Sequence, residues 1–107
     1  MKKGNLFALI PDNLNDELFE PLVENERVTI ERIISNGHSS PASGWYDQER
    51  NEWVVILKGD ASIAFKEGET IKLRTGDYLA IPAHKKHKVT RTSSDSETIW
   101  LAVHYEK

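Results

Sequence analysis

Residues 76–87 read GDYLAIPAHKKH, and this stretch decides the fold that the sequence predicts. A turn at Gly76 leads into four residues typical of a strand, and Pro82 then breaks the chain ahead of a loop that ends at His87. Upstream, residues 52–59 read EWVVILKG, an apolar strand that a glycine closes. Because glycine and proline mark the ends of β-strands, the two segments predict short strands bounded by tight loops.

The same pattern of short strands continues on both sides of these segments. Runs rich in β-branched and aromatic residues cover residues 27–34, 53–57, 61–65, 70–73, 78–81 and 98–105, with a further alternating stretch around Val89. A hairpin signal, EGE, separates two of these runs. Strands at this close spacing, with scarcely any helix, predict an all-β fold, an antiparallel sandwich or barrel.

The first 26 residues predict a different organisation. Residues 6–10 read LFALI and predict a short strand. Residues 13–20 read NLNDELFE, with an asparagine in an N-cap position and apolar side chains at helical spacing, so they predict one short helix that Pro21 ends. We therefore expect the whole 107-residue chain to form one domain, with an N-terminal strand and helix in residues 1–26 and a barrel in residues 27–105.

The composition excludes several classes of protein. The formal net charge is −3 and no continuous stripe of lysine or arginine occurs, so we expect no nucleic-acid partner. The chain contains no cysteine, which excludes disulfides, thiolate metal sites and cysteine nucleophiles. Its N-terminal apolar run spans five residues, fewer than a secretory signal or a membrane span requires. We therefore expect a cytoplasmic protein without a membrane partner.

The small size of the chain also predicts an oligomer. A domain of 107 residues leaves much of its apolar surface uncovered, and the N-terminal run carries Phe7 and Leu9. An apolar strand at the edge of a sheet can pair with its own copy across a two-fold axis. We therefore expect a homodimer.

The two segments quoted first resemble, in this order, the two conserved motifs of the cupin family. In one of them Glu52 is followed by six residues and Gly59, and in the other Gly76, Pro82 and His87 fall at the family's spacing. The second match is the more specific, because three positions agree. The resemblance covers most of the chain and implies a jelly-roll β-barrel with one internal pocket for a ligand or a metal.

The resemblance also implies a site for a divalent metal. In cupins two histidines and a glutamate of the first motif, and one histidine of the second, point into the barrel around the ion. Here Glu52 and His87 occupy the glutamate position and the second-motif position. On its strand, Glu52 shares a face with Val54 and Ile56, which is the interior face. A carboxylate there needs a metal, a cation or hydrogen-bond donors; the alternative is a solvated residue of the preceding turn.

The two first-motif histidines of the family are absent from this chain. Depending on loop length, their places fall on Trp45 and Asp47 or on Tyr46 and Gln48. The implied ligand set is then His87, Glu52, Asp47 and Gln48, which is rich in oxygen and would suit zinc, iron, manganese or nickel. Alternatively, Asp47 or Gln48 caps the turn through backbone N–H groups.

Three further residues are candidates for the ligand pocket, beside Tyr46. Trp100 and His104 share a strand face, and they line the pocket if that face looks inward or lie at the surface if it looks outward. His84 forms a His-x-x-His pair with His87 that could chelate, or it lies exposed in its loop.

Arg91 is the candidate that bears on the charge of the ligand. It lies four residues after His87, so regular alternation places both on one strand face with Val89. An inward arginine suits an anionic ligand such as a carboxylate or phosphate. The alternative is a salt bridge, to Glu52 or at the barrel rim.

Three functions remain open from the sequence. In the first, the pocket binds a divalent metal and a small polar or anionic ligand, and the metal polarises an oxygen while Glu52 or His87 moves a proton. In the second, the same pocket is a non-enzymatic binding or sensor module without metal, which the missing histidine pair favours. A scaffold for protein interactions is a third class.

Overall fold

The computed structural model describes residues 1–12, 14–40 and 44–106, and these residues form eight β-strands. The strands are β1 (Leu18–Glu24), β2 (Val28–Ser35), β3 (Asn51–Lys58), β4 (Asp60–Phe65), β5 (Thr70–Arg74), β6 (Tyr78–Ile81), β7 (His87–Thr92) and β8 (Thr98–Tyr105). One sheet has the order β1-β2-β8-β3-β6 and the other β5-β4-β7, with every pairing antiparallel. This arrangement confirms the predicted all-β jelly-roll fold.

The core lies between the two sheets, because alternate residues of each strand point inward. In β3 the buried positions are Glu52, Val54 and Ile56, while the residues between them are half-buried. The opposite sheet contributes Ile63 and Phe65 from β4. One glutamate therefore occupies a position that is apolar along the rest of the strand face, and it marks where the core gives way to a polar site.

The N-terminal segment packs on the outside of the five-stranded sheet rather than forming a strand. Arg32 of β2 is 5% exposed, and its guanidinium donates to the carbonyls of Leu6 and Ala8 and pairs with Glu20. The predicted strand at residues 6–10 is therefore wrong. Residues 6–9 form a turn and a bend, and the carbonyl groups of Leu6 and Ala8 accept from the Arg32 side chain instead of from a neighbouring strand.

The predicted helix over residues 13–20 is also wrong in the part that the structure describes, residues 14–20, and Asn13 lies outside it. Strand β1 begins at Leu18 and pairs with β2. Pro21 does not end an element but lies within β1, next to a register shift between Pro21 and Val23. Proline within sheets is confined largely to edge strands and bulges, and β1 is an edge strand with a register shift at this point.

No helix in residues 1–12, 14–40 and 44–106 is long and apolar enough to cross a membrane.

The turn between β3 and β4 depends on close packing at Gly59. This residue has φ of +90°, and a Cβ added to it would lie 2.7 Å from Oγ1 and 3.0 Å from Cα of Thr98. Glycine is required here both for its backbone conformation and for the approach of β8.

Candidate functional site

A cavity of about 120 Å³ opens between the sheets at the polar end of the core. Its apolar wall comes from both sheets and consists of Ile33, Val54, Ile63, Ile81 and Val89. The remaining wall is polar or aromatic and includes Glu52 and His87.

His87 and Glu52 face each other across this cavity. Nε2 of His87 lies 3.6 Å from Oε1 of Glu52, and the two side chains are 6% and 11% exposed. The residues belong to opposite sheets, His87 to β7 and Glu52 to β3. The separation is too long for a direct hydrogen bond but close enough for charge attraction when the imidazole is protonated.

The ring of His87 is held in one orientation. Its Nδ1 lies 2.7 Å from the carbonyl oxygen of Lys85, so this nitrogen donates and Nε2 is presented to the cavity. The backbones of Tyr46 and His87 exchange hydrogen bonds of 2.8 and 3.2 Å, which fixes the loop against β7. Burial disfavours the imidazolium, but the Glu52 carboxylate and the Lys85 carbonyl together outweigh it, so the pKa of His87 is raised above 6.5.

A second histidine–carboxylate pair stands at one side of the cavity. Nε2 of His104 lies 3.0 Å from Oε1 of Glu31. The hydrogen bond to Glu31 raises the pKa of His104, burial and Arg50 oppose the rise, and the charge of Glu52 adds to it. His104 and Trp100 both line the cavity, so the face of β8 that they share looks inward.

Trp100 connects the cavity to the N-terminal segment through a polar chain. Its Nε1 donates to Oγ of Ser35 at 3.2 Å, and the Ser35 hydroxyl donates to the Glu17 carboxylate. Ser35 and Trp100 are buried, and Glu17 lines the cavity. The sequence reasoning missed Glu17, because it assigned residues 13–20 to a helix.

Glu31 was missed as well, although its position carries a signal. It alternates with Thr29 and Ile33 on the inward face of β2, as Glu52 does on β3. The other face of β2, with Ile34 and Arg32, is buried too, so hydrophobic alternation alone does not select between them.

The loop before β3 brings Tyr46 and Gln48 to the cavity and leaves Asp47 outside. Oδ1 of Asp47 lies 2.7 Å from Nδ1 of His84, in a pair whose side chains are 41% and 65% exposed. His84 therefore does not share a site with His87. Gln48 lines the cavity, and its Oε1 is buried with no hydrogen-bond partner among the described residues.

Arg91 points away from the cavity, so the expectation that it shares a face with His87 is wrong. Strand β7 has a register shift against β4 in which Ile63 pairs with Val89 but Ser62 pairs with Arg91. The extra residue, Thr90, reverses the alternation that follows it. The guanidinium of Arg91 instead pairs with Asp60 at the surface. This agrees with the alternative of a salt bridge at the barrel rim.

The donors at the cavity do not fit a transition-metal site of the expected kind. The two implied ligands brought together with Gln48 are His87 and Glu52, since Asp47 is engaged by His84. Within residues 1–12, 14–40 and 44–106, no three His, Cys, Asp or Glu side chains are grouped so that they could hold an ion. Divalent transition metals are usually held by three or four such groups.

Comparisons with known proteins agree with this fold. The family model described as a cupin domain matches residues 32–104. A protein from Ralstonia eutropha JMP134, named a "putative mannose-6-phosphate isomerase", is 44% identical over 100% of both chains, with a TM-score of 0.96. A cupin superfamily protein from Desulfitobacterium hafniense DCB-2 is 24% identical over 100% of this chain and 94% of that one, with a TM-score of 0.79. No curated protein matches the sequence.

Proposed function

This chain belongs to the cupin family, and we propose that it binds a small polar molecule in the cavity between its sheets, with His87 and Glu52 as the recognising pair. The observation that carries the proposal is the gap of 3.6 Å between Nε2 of His87 and Oε1 of Glu52. A ligand atom that both donates and accepts, or that donates twice, can lie within hydrogen-bond reach of both groups.

The surroundings of the pair support binding of a ligand rather than a purely structural role. Burying a carboxylate is costly unless a partner compensates it. Among the described residues, the partner of Glu52 is His87, at 3.6 Å. The buried Oε1 of Gln48 has no partner there either. Polar groups left incompletely satisfied beside a cavity are the groups through which such pockets orient their ligands.

The proposal includes no resident metal. One imidazole, one carboxylate and one amide oxygen form a weaker set than three histidines and a glutamate would. The metal-dependent alternative predicted from the sequence adds one or both of Asp47 and Gln48 as ligands. Asp47 is paired with His84, which leaves the amide oxygen of Gln48 as the additional ligand.

A second candidate function is acid–base catalysis on the bound molecule. His87 donates from Nδ1 to Lys85, so its Nε2 is the atom that can accept or return a proton, and Glu52 stabilises the imidazolium that results. The isomerase name of the Ralstonia relative, at 44% identity, supports this candidate. Incubation with simple aldoses and ketoses in D₂O tests it: deuterium incorporation that His87→Ala abolishes is expected, and no incorporation in any sugar removes it.

The binding proposal is tested by mapping fragments onto the protein with NMR. From a set of neutral, cationic and anionic compounds of fewer than about ten heavy atoms, we expect at least one to shift resonances of the cavity wall. The double variant His87→Ala, Glu52→Gln should lose most of this binding, while Asp47→Ala, whose side chain lies outside the cavity, should retain it. Fragments that bind only elsewhere, or that bind the double variant as tightly, would overturn the proposal.

We also propose that the chain forms a homodimer through the edge strand β1. Leu22 and Val23 of this strand are 44% and 50% exposed, and the outer edge of β1 has no paired strand among the described residues. The apolar exposure that motivates a dimer therefore lies on an actual strand, in addition to Phe7 and Leu9 in the turns before it.

A further inference from the structure

We infer that the cavity selects a cation: a small molecule that carries a protonated amine, and not a phosphate or a carboxylate. The inference rests on the proposed binding function and names the class of its ligand. It replaces the anionic ligand expected from Arg91, whose side chain is paired with Asp60 at the surface.

The charged side chains of the cavity wall are mostly carboxylates. Three carboxylates line it, those of Glu17, Glu31 and Glu52, and no lysine or arginine is among the described residues that do so. The two histidines of the wall each face one of these carboxylates. A bound phosphate or carboxylate would meet like charges without an arginine or lysine to neutralise it, whereas an ammonium group would gain a carboxylate partner.

The surface around the entrance to the cavity is negatively charged as well. A wider cleft outside shares Glu31, Gln48 and His104 with the cavity, so the two spaces adjoin at these side chains. The residues that line only the cleft are Glu24, Glu26, Thr29, Glu49, Arg50 and Glu106. The Arg50 guanidinium donates to Oγ1 of Thr29 at 3.0 Å. A cleft with this excess of carboxylates raises the local concentration of cations and repels anions.

The hydrogen-bonding groups supply an independent observation. Oε1 of Gln48 is a buried acceptor without a donor in the described part of the chain. Two donors nearby are already engaged, Nε1 of Trp100 by Ser35 and Nδ1 of His87 by Lys85. The buried polar atom left without a partner in this part of the wall is therefore an acceptor, and it calls for a donor on the ligand. An ammonium group has donors and no acceptor, and so matches it.

The size and the rings of the cavity limit the rest of the molecule. Its volume of about 120 Å³ is comparable with the roughly 150 Å³ apolar cavity that admits benzene. Trp100, Tyr46 and Phe19 line it, and aromatic faces attract cations as well as apolar groups. The ligand is therefore a compact amine with an apolar body. The phosphorylated sugar in the name of the Ralstonia relative would find no lysine or arginine among the described residues of this wall, and both histidines there already face a carboxylate.

Three probes of one shape separate the charge classes: cyclohexylammonium, cyclohexanol and cyclohexanecarboxylate. Titrated calorimetrically and by NMR at about pH 8, the ammonium probe should bind at least about tenfold more tightly than the alcohol, a gap of about 1.4 kcal/mol, and the carboxylate should not bind. Glu52→Gln and Glu31→Gln should each reduce this preference severalfold. Glu69→Gln removes one exposed carboxylate from the β4–β5 hairpin and serves as the control with the same net charge.

The outcomes distinguish this inference from the function on which it rests. Binding of the carboxylate or the alcohol in the cavity as tightly as the ammonium probe overturns the cation preference and leaves the binding function standing. A preference that Glu69→Gln reduces as much as Glu52→Gln overturns it too, because the effect then reflects net charge. If no fragment of any charge class shifts cavity resonances, both proposals fail.

Discussion

Nε2 of His87 and Oε1 of Glu52 lie 3.6 Å apart across the interior of the sandwich, each carried by a different sheet. The pair therefore links β3 to β7 at a point where the neighbouring inward positions are apolar. Its strength depends on the protonation of one ring, since Glu52 attracts His87 only when the imidazole is charged.

Replacing Glu52 with glutamine should lower the pKa of His87. Burial alone would depress this pKa, and Glu52 is the principal group that raises it, with help from the Lys85 carbonyl. We expect a titration of the imidazole by NMR to give a value above 6.5 in the wild type and a lower one in Glu52→Gln. Glu31→Gln is the matched control, because it should lower the pKa of His104 more than that of His87.

The same pair should make stability depend on pH in a defined direction. The folded-state pKa of His87 lies above that of the unfolded chain, so folding takes up protons and the contribution is complete below about 6.5. It is lost as pH rises through the folded-state value. Urea unfolding should thus give a difference in the free energy of unfolding between the wild type and Glu52→Gln that is larger at about pH 6 than at about pH 9. A gap that widens with rising pH would contradict this assignment.

The sequence predicted the β-rich part of the chain well, because its strands alternate and its turns are marked by glycine. Six of the strands begin and end within two residues of a predicted run, and a seventh, β7, contains Val89 as expected. The exception is β1. Its exposed apolar residues and Pro21 resemble a helix followed by a break, and the pairing with β2 that makes it a strand comes from distant residues.

The candidate site was predictable where it depended on motifs and not where it depended on local geometry. The positions of Glu52 and His87 follow from a strand face and from a family spacing. The face of Arg91 could not be predicted, because one unpaired residue in β7 reverses the inward and outward alternation of the side chains that follow it. No sequence pattern indicates that residue. Glu31 was hidden because both faces of β2 are buried.

Charging the edge strand should dissociate the proposed dimer. Val23→Lys places an ammonium group on β1, where an unpaired edge and exposed apolar side chains would otherwise meet a second copy. Light scattering at high protein concentration should then give half the wild-type mass. Tyr78→Lys offers a control, because Tyr78 is also exposed but lies on β6, at the opposite edge of the same sheet. A monomeric wild type would refute the dimer outright.

Alanine should be tolerated less at Gly59 than at Gly76. The two glycines have φ of +90° and +91°, so the backbone strain of a Cβ is the same, about 1 to 2 kcal/mol. A Cβ at Gly76 meets open space, whereas one at Gly59 collides with Thr98, which adds overpacking of roughly 1 to 3 kcal/mol. Urea denaturation of both variants measures the difference. Equal losses would mean that β8 yields without cost at this turn.

Adding and removing divalent metal should leave the protein nearly unchanged. His87 and Glu52 supply two ligands of the His, Cys, Asp or Glu kind where three or four are usual, Gln48 adds only an amide oxygen, and Asp47 is held by His84 outside the cavity. We expect the untagged protein to contain less than one equivalent of zinc, iron, manganese or nickel by elemental analysis. Chelation should not lower its melting temperature.

Any stabilisation by added zinc should be small and should persist in His87→Ala, because exposed sites such as the His84–Asp47 pair would account for it. A stoichiometric metal that is lost in both His87→Ala and Glu52→Gln, but retained in His84→Ala, would restore the metal centre and displace the metal-free pocket proposed above.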